Sequence, residues 1–288
     1  MIESKLLFIV GFPRSGTSVL TKILGSNQNV SIQNESKFIV EKYESFSNIK
    51  SDEEIRQFAK ELSSHLTSKE SLNIRMEESK LYEILNIATT SKSISKKEAW
   101  RIVCLKILMS SGKFSLIGEK TPNYVFHLDF LVSVFPEAKF LYVHRDPRDS
   151  FLSIKSLFWG PSNALFVARE VNKYVKAWEN FSQEKRKVNI IYEDFLKSPQ
   201  QIVAEILGNF DIEGDCDVSN IRKGNYLKWK NKFNISRKEL GMLNYYCYNY
   251  MRDKGYELGE IRKPSFMLIT VMILDQAWSF FYNRYIRD

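Results

Sequence analysis

The residues best suited to chemistry near the N-terminus form a turn, PRSGTS at positions 13–18. An apolar run precedes the turn and a helical pattern follows it, so the sequence predicts a strand, an anion-binding turn and a helix. Glycines let backbone N–H groups face inward, the helix N-terminus adds partial positive charge, and hydroxyls donate hydrogen bonds. A phosphate or sulfate site is therefore predicted, with these contacts: Arg14, Ser15, Gly16, Thr17 and Ser18.

The turn differs from its nucleoside-triphosphate counterpart, GxxxxGK[ST], in which a lysine reaches the β/γ-phosphates and the next hydroxyl binds magnesium. The spacing from Gly11 to Gly16 is right, but Thr17 replaces the lysine and Arg14 supplies the cation from within the loop. PRSGT after an apolar strand resembles the 5′-phosphosulfate loop of the P-loop sulfotransferases, which use 3′-phosphoadenylyl sulfate (PAPS) as donor.

Three later segments resemble the same family in the expected order. In KFLYVHRDPRDSF, at 139–151, Arg145 lies eight residues before Ser153, which resembles the family's 3′-phosphate site. The strand in KVNIIYEDFLKSP, at 187–199, resembles the one whose tyrosine contacts adenine, and this implies that role for Tyr192. IRKGNYLKWKNKF, at 221–233, resembles the RKGxxGxWKNxF loop of cytosolic sulfotransferases, which implies three more 3′-phosphate contacts: Arg222, Lys223 and Gly224.

Two departures from the family pattern affect these expectations. Leu227 stands at the position of the second glycine in the closing loop, so the resemblance does not predict the backbone conformation there. In IGEKTPNY, Lys120 resembles the lysine of the family's KTH or KTP segment, and together with Arg14 it is expected to stabilise the leaving oxygen. Pro122 stands where cytosolic enzymes carry a catalytic histidine, so a different base is needed.

Glu35 is the predicted base. It lies 21 residues after Arg14, which resembles the placement of the glutamate base in tyrosylprotein and heparan-type sulfotransferases, and a partly desolvated glutamate with a raised pKa can accept the acceptor's proton. The alternative is that Glu35 caps a helix or pairs with Lys37 on a helix face. His127 is the competing base. His144 could line the site, and His65 is expected to be solvated in a polar helix.

The elements that position these residues follow an α/β pattern. Strand signals occur near 6–10, 115–118, 140–144 and 188–192, each followed by helical sequence. We predict a parallel sheet flanked by helices, with ligand turns at the carboxyl ends of the strands and a P-loop NTPase-like sulfotransferase fold as the resemblance implies. One domain over 1–288 is expected, with a helical insertion at about 35–112 that forms the acceptor-side wall and lid.

The tail at about 264–288 is predicted to form an amphipathic helix. Asp275 and Gln276 interrupt its apolar run well short of the ~20 residues that a spanning helix needs. Packing on its own domain is the leading interpretation, and a subunit interface or attachment to a membrane surface are the alternatives. The segment at 230–239, KNKFNISRKE, only partly matches the family's dimer segment, so a homodimer is left open.

Composition limits the classes of partner. The net charge of +8 suits an anionic donor, nucleic acid or an anionic membrane surface equally. The basic residues form no long runs, so no nucleic-acid track is expected. Cys104, Cys216 and Cys247 are widely separated, which argues against a disulfide framework or a zinc site. No signal peptide is recognised, so a cytoplasmic location is expected.

The expected activity is transfer of a sulfonate from PAPS to a hydroxyl of a small molecule or sugar, without metal and with adenosine 3′,5′-bisphosphate (PAP) as product. The alternatives are tyrosylprotein-type sulfonation of a peptide, a P-loop kinase, and a non-catalytic protein that binds PAP. Aromatic residues that could line an acceptor pocket, although each fits a core position better, are Tyr43, Phe46, Trp100, Tyr124, Phe158 and Trp159.

Overall fold

A five-stranded parallel sheet forms the centre of the computed structural model, with strand order β2-β3-β1-β4-β5. The predicted α/β fold with a parallel sheet is therefore confirmed. The strands are β1 (Lys5–Gly11), β2 (Val30–Asn34), β3 (Leu116–Lys120), β4 (Lys139–His144) and β5 (Lys187–Ile191). The sequence analysis did not predict β2, because its sequence VSIQN is short, ends in two amides and lies at the sheet edge.

The structure describes residues 5–67, 76–91, 93–157, 163–219, 221, 226–231, 234–259, 261, 263–266, 269–270 and 273–274. The predictions for Arg222, Lys223, Gly224, Phe158 and Trp159 fall outside these ranges, as do residues 275–288 of the tail.

Helices cover both faces of the sheet. They are α1 (Thr17–Leu24), α2 (Phe38–Glu41), α3 (Tyr43–Ser47), α4 (Asp52–Thr67), α5 (Glu78–Thr90), α6 (Lys96–Leu108), α7 (Leu128–Val134), α8 (Pro147–Lys155), α9 (Ala164–Asn180), α10 (Tyr192–Lys197), α11 (Pro199–Gly208), α12 (Arg237–Tyr246) and α13 (Tyr248–Asp253). Short 3₁₀ turns occupy Pro122–His127, Glu184–Arg186 and Lys228–Lys230. In the sequence, helices α2 to α6 lie between β2 and β3.

Alternation along the strands divides the core into two layers. In β1, Phe8 faces the layer that contains α2 to α6 and α9, and it stacks on Phe140 of β4 with ring centroids 5.6 Å apart. Leu7 and Ile9 face the opposite layer with α1, α10 and α11. Both layers are buried, which holds the strands rigidly beneath the turns at their carboxyl ends.

Most of the aromatic residues that fit a core position better than a pocket wall do lie in this core. Phe46 and Trp100 are fully buried, Tyr124 is nearly so, and Tyr43 packs against them. The indole N–H of Trp100 donates to the carbonyl oxygen of Ile39 at 2.9 Å. These side chains therefore support the insertion rather than contact an acceptor.

The described part of the tail is largely solvent-facing. Ile269 packs against the core, whereas Phe266 is 85% exposed. Within the described ranges, no helix combines the length and the apolar character required to cross a bilayer.

Candidate functional site

The carboxyl ends of all five strands open into one cavity of about 410 Å³. Asn34 pairs with Lys120 and Gly11 pairs with Val143, whereas Lys120 pairs with Ile9, so β1 and β4 extend further towards the cavity than β2 and β3. The residues lining this cavity are Pro13, Arg14, Gly16, Thr17, Ser18, Val19, Glu35, Lys37, Thr121, Pro122, Asn123, Arg145, Ser153 and Tyr192. Most of the described residues that the sequence singled out thus share one space.

The turn after β1 has the backbone of an anion site. Gly16 has a φ of 103°, and a Cβ there would come within 2.2 Å of the Tyr192 ring, so only glycine fits beneath that ring. Helix α1 begins at the next residue, so its free N–H groups face the cavity mouth. Ser15 is buried, and no described residue hydrogen-bonds its hydroxyl oxygen. A phosphate or sulfonate oxygen fits this donor set.

Arg145 brings the turns after β1 and β4 together. Its Nη1 donates to the carbonyl oxygen of Arg14 at 2.6 Å, and its guanidinium carbon lies 4.7 Å from the centroid of the Tyr192 ring. Nε of Arg14 in turn donates to Oγ of Ser153 at 3.1 Å. The Tyr250 hydroxyl accepts from Arg145 N–H and donates to Arg145 C=O, both at 3.2 Å. The residues predicted to bind the two ends of a nucleotide therefore form one contact network.

Glu35 meets Lys120 at the other end of the cavity. Nζ of Lys120 donates to Oε1 of Glu35, and the two backbones are joined by Glu35 N–H donating to Lys120 C=O at 2.7 Å. Glu35 follows β2 directly with a φ of 44°, so it does not lie on a helix face paired with Lys37, as the alternative held. Its side chain is 41% exposed while that of Lys120 is 1% exposed. The Glu35 carboxylate is therefore not desolvated as predicted. It forms an ion pair with the buried Lys120 instead.

Glu119 was missed by the sequence analysis. It is completely buried, and its Oε1 accepts from the backbone N–H of Lys37 at 2.9 Å and from Oγ of Thr121 at 2.7 Å. Its Oε2 accepts from the Tyr124 hydroxyl at 3.4 Å. Burial raises the pKa of this carboxyl, whereas these donors act in the opposite direction. The sequence contains one indication of this role: Glu119 lies in a short strand pattern that is otherwise apolar until Lys120. A carboxylate buried in such a strand requires hydrogen-bond partners.

The histidines do not contribute to the cavity. His127 is exposed at the end of a 3₁₀ turn and does not line the cavity. His144 is buried with its Nε2 at 2.9 Å from Oδ1 of Asn189, and burial lowers its pKa to about 4. His65 is half-buried and its Nε2 lies 2.6 Å from the carbonyl oxygen of Ser36, so the expectation that it is solvated is wrong.

A second cavity of about 500 Å³ shares Arg14, Arg145 and Ser153 with the first. Its other lining residues are Asp149, Leu152, Lys155, Ser156, Lys228 and Asn234. Two cavities that meet at a pair of arginines can hold a ligand with anionic groups at separate points. In the part of the chain that the structure describes, no cluster of three His, Cys, Asp or Glu side chains is placed to hold a metal ion.

Comparisons with known proteins identify the family and the fold of the chain. A family model described as the sulfotransferase family matches residues 7–215. No curated protein sequence matches the chain. The sulfotransferase domain of the Synechococcus PCC 7002 olefin synthase is 14% identical, with 89% of this chain and 98% of that one covered and a TM-score of 0.54. Sulfotransferase STF9 from Mycobacterium avium is 15% identical over 90% of this chain and 79% of that one, with a TM-score of 0.48. At 14% identity the first likeness supports the fold alone.

Proposed function

This chain belongs to the sulfotransferase family and has its P-loop-like fold, and we propose that it transfers a sulfonate group from PAPS to a hydroxyl group of a small-molecule or sugar acceptor. The observation that carries the proposal is the meeting of three groups at one sheet edge. These are the anion-binding turn, the network of Arg14, Arg145, Ser153 and Tyr192, and the Glu35–Lys120 ion pair.

The donor would lie across the two cavities. Its 5′-phosphosulfate is assigned to the turn from Arg14 to Ser18, and its adenine to Tyr192. The 3′-phosphate is assigned to Arg145 and Ser153, and the resemblance adds Arg222, Lys223 and Gly224. The contact between Arg145 and the Arg14 carbonyl supports this assignment, because it fixes the distance between the two anion sites before the donor arrives.

The transfer needs an in-line displacement at sulfur. The acceptor oxygen forms a bond to sulfur while the bond from sulfur to the bridging oxygen breaks, and that oxygen leaves with the electron pair on PAP. Glu35 takes the proton of the acceptor hydroxyl. Lys120 and Arg14 stabilise the charge that develops on the leaving oxygen. The Glu35–Lys120 ion pair supports these roles because it holds the base and the cation together at the end of the cavity.

The acceptor end of the cavity is polar. Lys37, Thr121 and Asn123 line it beside Glu35. The Tyr174 hydroxyl donates to Oδ1 of Asn123, which fixes that amide in one orientation. Such a wall favours an acceptor that hydrogen-bonds to the protein, as a sugar hydroxyl does.

A direct test is to supply PAPS with a panel of hydroxyl acceptors and to follow PAP release with EDTA present. Release that depends on an acceptor and persists in EDTA supports the proposal. ATP turnover that requires magnesium would instead identify a kinase, and PAP binding without turnover for any acceptor would identify a non-catalytic nucleotide-binding protein.

A further inference from the structure

We propose that Lys228 is a further binding residue for the donor's 3′-phosphate and that Asp149 positions it. This inference rests on the proposed function, because it concerns how the same site distinguishes PAP from adenosine 5′-monophosphate (AMP). The two nucleotides differ only in the 3′-phosphate.

The second cavity has the charge that such a role requires. Four cationic residues line it: Arg14, Arg145, Lys155 and Lys228. Asp149 is the acidic residue among its described lining. Because three of the lining residues also border the first cavity, an anion bound here lies beside the nucleotide already assigned to the turn.

Both oxygens of Asp149 are engaged by the backbone that carries Lys228. Oδ2 accepts from the N–H of Leu227 at 2.5 Å, and Oδ1 accepts from the N–H of Trp229 at 3.2 Å. Burial raises the pKa of this carboxyl, and the two N–H donors oppose that effect. The carboxylate therefore hydrogen-bonds to the backbone on each side of Lys228, and Lys228 itself lines the cavity.

The backbone between these contacts has an uncommon conformation. Leu227 has a φ of 57°, in the left-handed region that a non-glycine residue rarely adopts. Trp229 is held from its other side by Arg148, whose guanidinium carbon lies 3.5 Å from the centroid of a Trp229 ring. Nδ2 of Asn234 donates to the carbonyl oxygen of Lys228 at 2.9 Å. A strained conformation with this many restraints is typical of a position selected for function.

The neighbouring lysines are already paired. Nζ of Lys155 lies 2.6 Å from Glu239, and Nζ of Lys230 lies 2.6 Å from Glu257. Among the residues that the structure describes, no carboxylate forms an ion pair with Lys228. Its charge is therefore available to a ligand, and Lys230 provides a matched control on the same short segment.

The test is calorimetric binding of PAP and AMP to the full chain and to Lys228→Ala and Lys230→Ala. Lys228→Ala should weaken PAP binding by about five- to tenfold, the lower part of the range for a charge-assisted bond because the side chain is exposed. AMP binding should stay within about twofold, and Lys230→Ala should change neither nucleotide by more than that. The PAP loss should also shrink at high salt.

A double-mutant cycle tests the role of Asp149. Asparagine keeps one acceptor oxygen, so Asp149→Asn should release one of the two N–H groups and lower the preference for PAP over AMP. Adding Lys228→Ala to Asp149→Asn should then have no further effect, because the lysine is already misplaced. Effects that add in full would overturn the positioning role. If Asp149→Asn does not fold, Asp149→Glu takes its place, because the longer side chain displaces the Lys228 segment while keeping the charge. An unchanged preference for PAP over AMP in that variant would overturn the positioning role.

The same binding measurements distinguish failure of the proposed function from failure of the role of Lys228. Equal binding of PAP and AMP by the unmodified protein would overturn the donor assignment itself. A clear preference for PAP that Lys228→Ala leaves unchanged would overturn only the present inference.

Discussion

The two ends of the cavity are built differently. At the donor end, residues of the turns after β1 and β4 and the first residue of α10 restrain one another: Gly16 lies under Tyr192, Tyr192 lies under Arg145, and Arg145 donates to the Arg14 carbonyl. At the acceptor end, Glu35, the proposed base, follows the edge strand β2, and Glu35 and Lys37 both have positive φ. The donor end is fixed by stacked and hydrogen-bonded groups from three turns, whereas the acceptor end is fixed by a few polar contacts beside an edge strand. Both ends contain non-glycine residues with positive φ, among them Arg14 at the donor end and Glu35 at the acceptor end.

This difference suits two ligands with different demands. A nucleotide donor presents the same anionic groups each time, so a rigid site loses little entropy on binding it. An acceptor site that varies between relatives is better placed on an edge and on an inserted segment, where changes disturb the core least. Substitutions at the two ends should therefore have separable effects, on turnover at one end and on PAP affinity at the other.

The largest effect should follow Glu35→Gln. Turnover should fall by about 10²–10⁴, because general-base catalysis contributes about that much, while PAP affinity stays nearly unchanged. Steady-state kinetics with a saturating acceptor, beside calorimetry with PAP, measures both. Glu41→Gln, at an exposed position on α2, is the control and should behave like the unmodified protein. If Glu35→Gln keeps more than about a third of kcat, Glu35 is not the base.

The free energy of unfolding should depend on pH through His144, the last residue of β4, which directly precedes Arg145 at the donor end. Burial lowers the pKa of His144 in the folded protein to about 4, below the 6.5 of a solvent-exposed histidine, so the unfolded chain binds the proton more tightly. Its contribution is present above pH 6.5 and is lost as pH falls towards 4, by about 3 kcal/mol of unfolding free energy in total.

The difference in unfolding free energy between the unmodified protein and His144→Gln isolates this contribution. Glutamine can still donate to Asn189 but does not titrate. Chemical denaturation at several pH values measures both proteins. As pH falls from 6.5 to 4, the unmodified protein should lose stability relative to His144→Gln. The subtraction is needed because burial raises the pKa of Glu119 and Glu193, and raised carboxyl pKa values favour the folded state as pH falls. A difference that does not vary with pH would contradict the assignment.

Arg145→Ala should weaken PAP binding by about ten- to hundredfold, because it removes charge-assisted bonds worth about 1.5–3 kcal/mol each. Turnover at saturating donor should fall much less. Arg101→Ala is a suitable control, since Arg101 pairs with Glu137 and lines neither cavity. Calorimetry with PAP and with ATP measures these affinities. Equal binding of ATP and PAP by the unmodified protein would mean that Arg145 does not form a separate 3′-phosphate site.

The donor end was more accessible to sequence reasoning than the acceptor end. The turn at 13–18 and the strand end at Arg145 combine apolar runs with glycine and cations, and such patterns predict both the elements and the side chains on them. The contact between Tyr192 and Gly16 joins segments far apart in the chain, and spacing does not reveal it. At the acceptor end, β2 was not predicted because VSIQN lacks a sustained apolar pattern, and so the position of Glu35 on a strand end was not foreseen either.

Glu119 shows why partners of this kind escape prediction. Its role depends on Lys37 N–H and Thr121 Oγ converging on one buried oxygen, which is a property of the turn after β2 and not of any local motif. The same contact makes Glu119 a sensitive probe of the acceptor end, because its side chain bonds to the backbone of the turn that carries Glu35 and has no contact with the donor network.

Glu119→Gln should therefore have the smallest effect, confined to turnover. The glutamine carbonyl oxygen can still accept from Lys37 and Thr121, but as a neutral acceptor it holds the turn more weakly, so kcat should fall by about three- to tenfold. PAP affinity should be unchanged, since the donor network has no contact with this side chain. Stability should change by less than about 1 kcal/mol, because loss of the bonds to a charged group is offset by loss of a buried charge. Tyr124→Phe, which removes only the bond at 3.4 Å, is the control and should leave kcat within about twofold. A parallel loss of PAP affinity and kcat in Glu119→Gln would mean that the two ends are not separable.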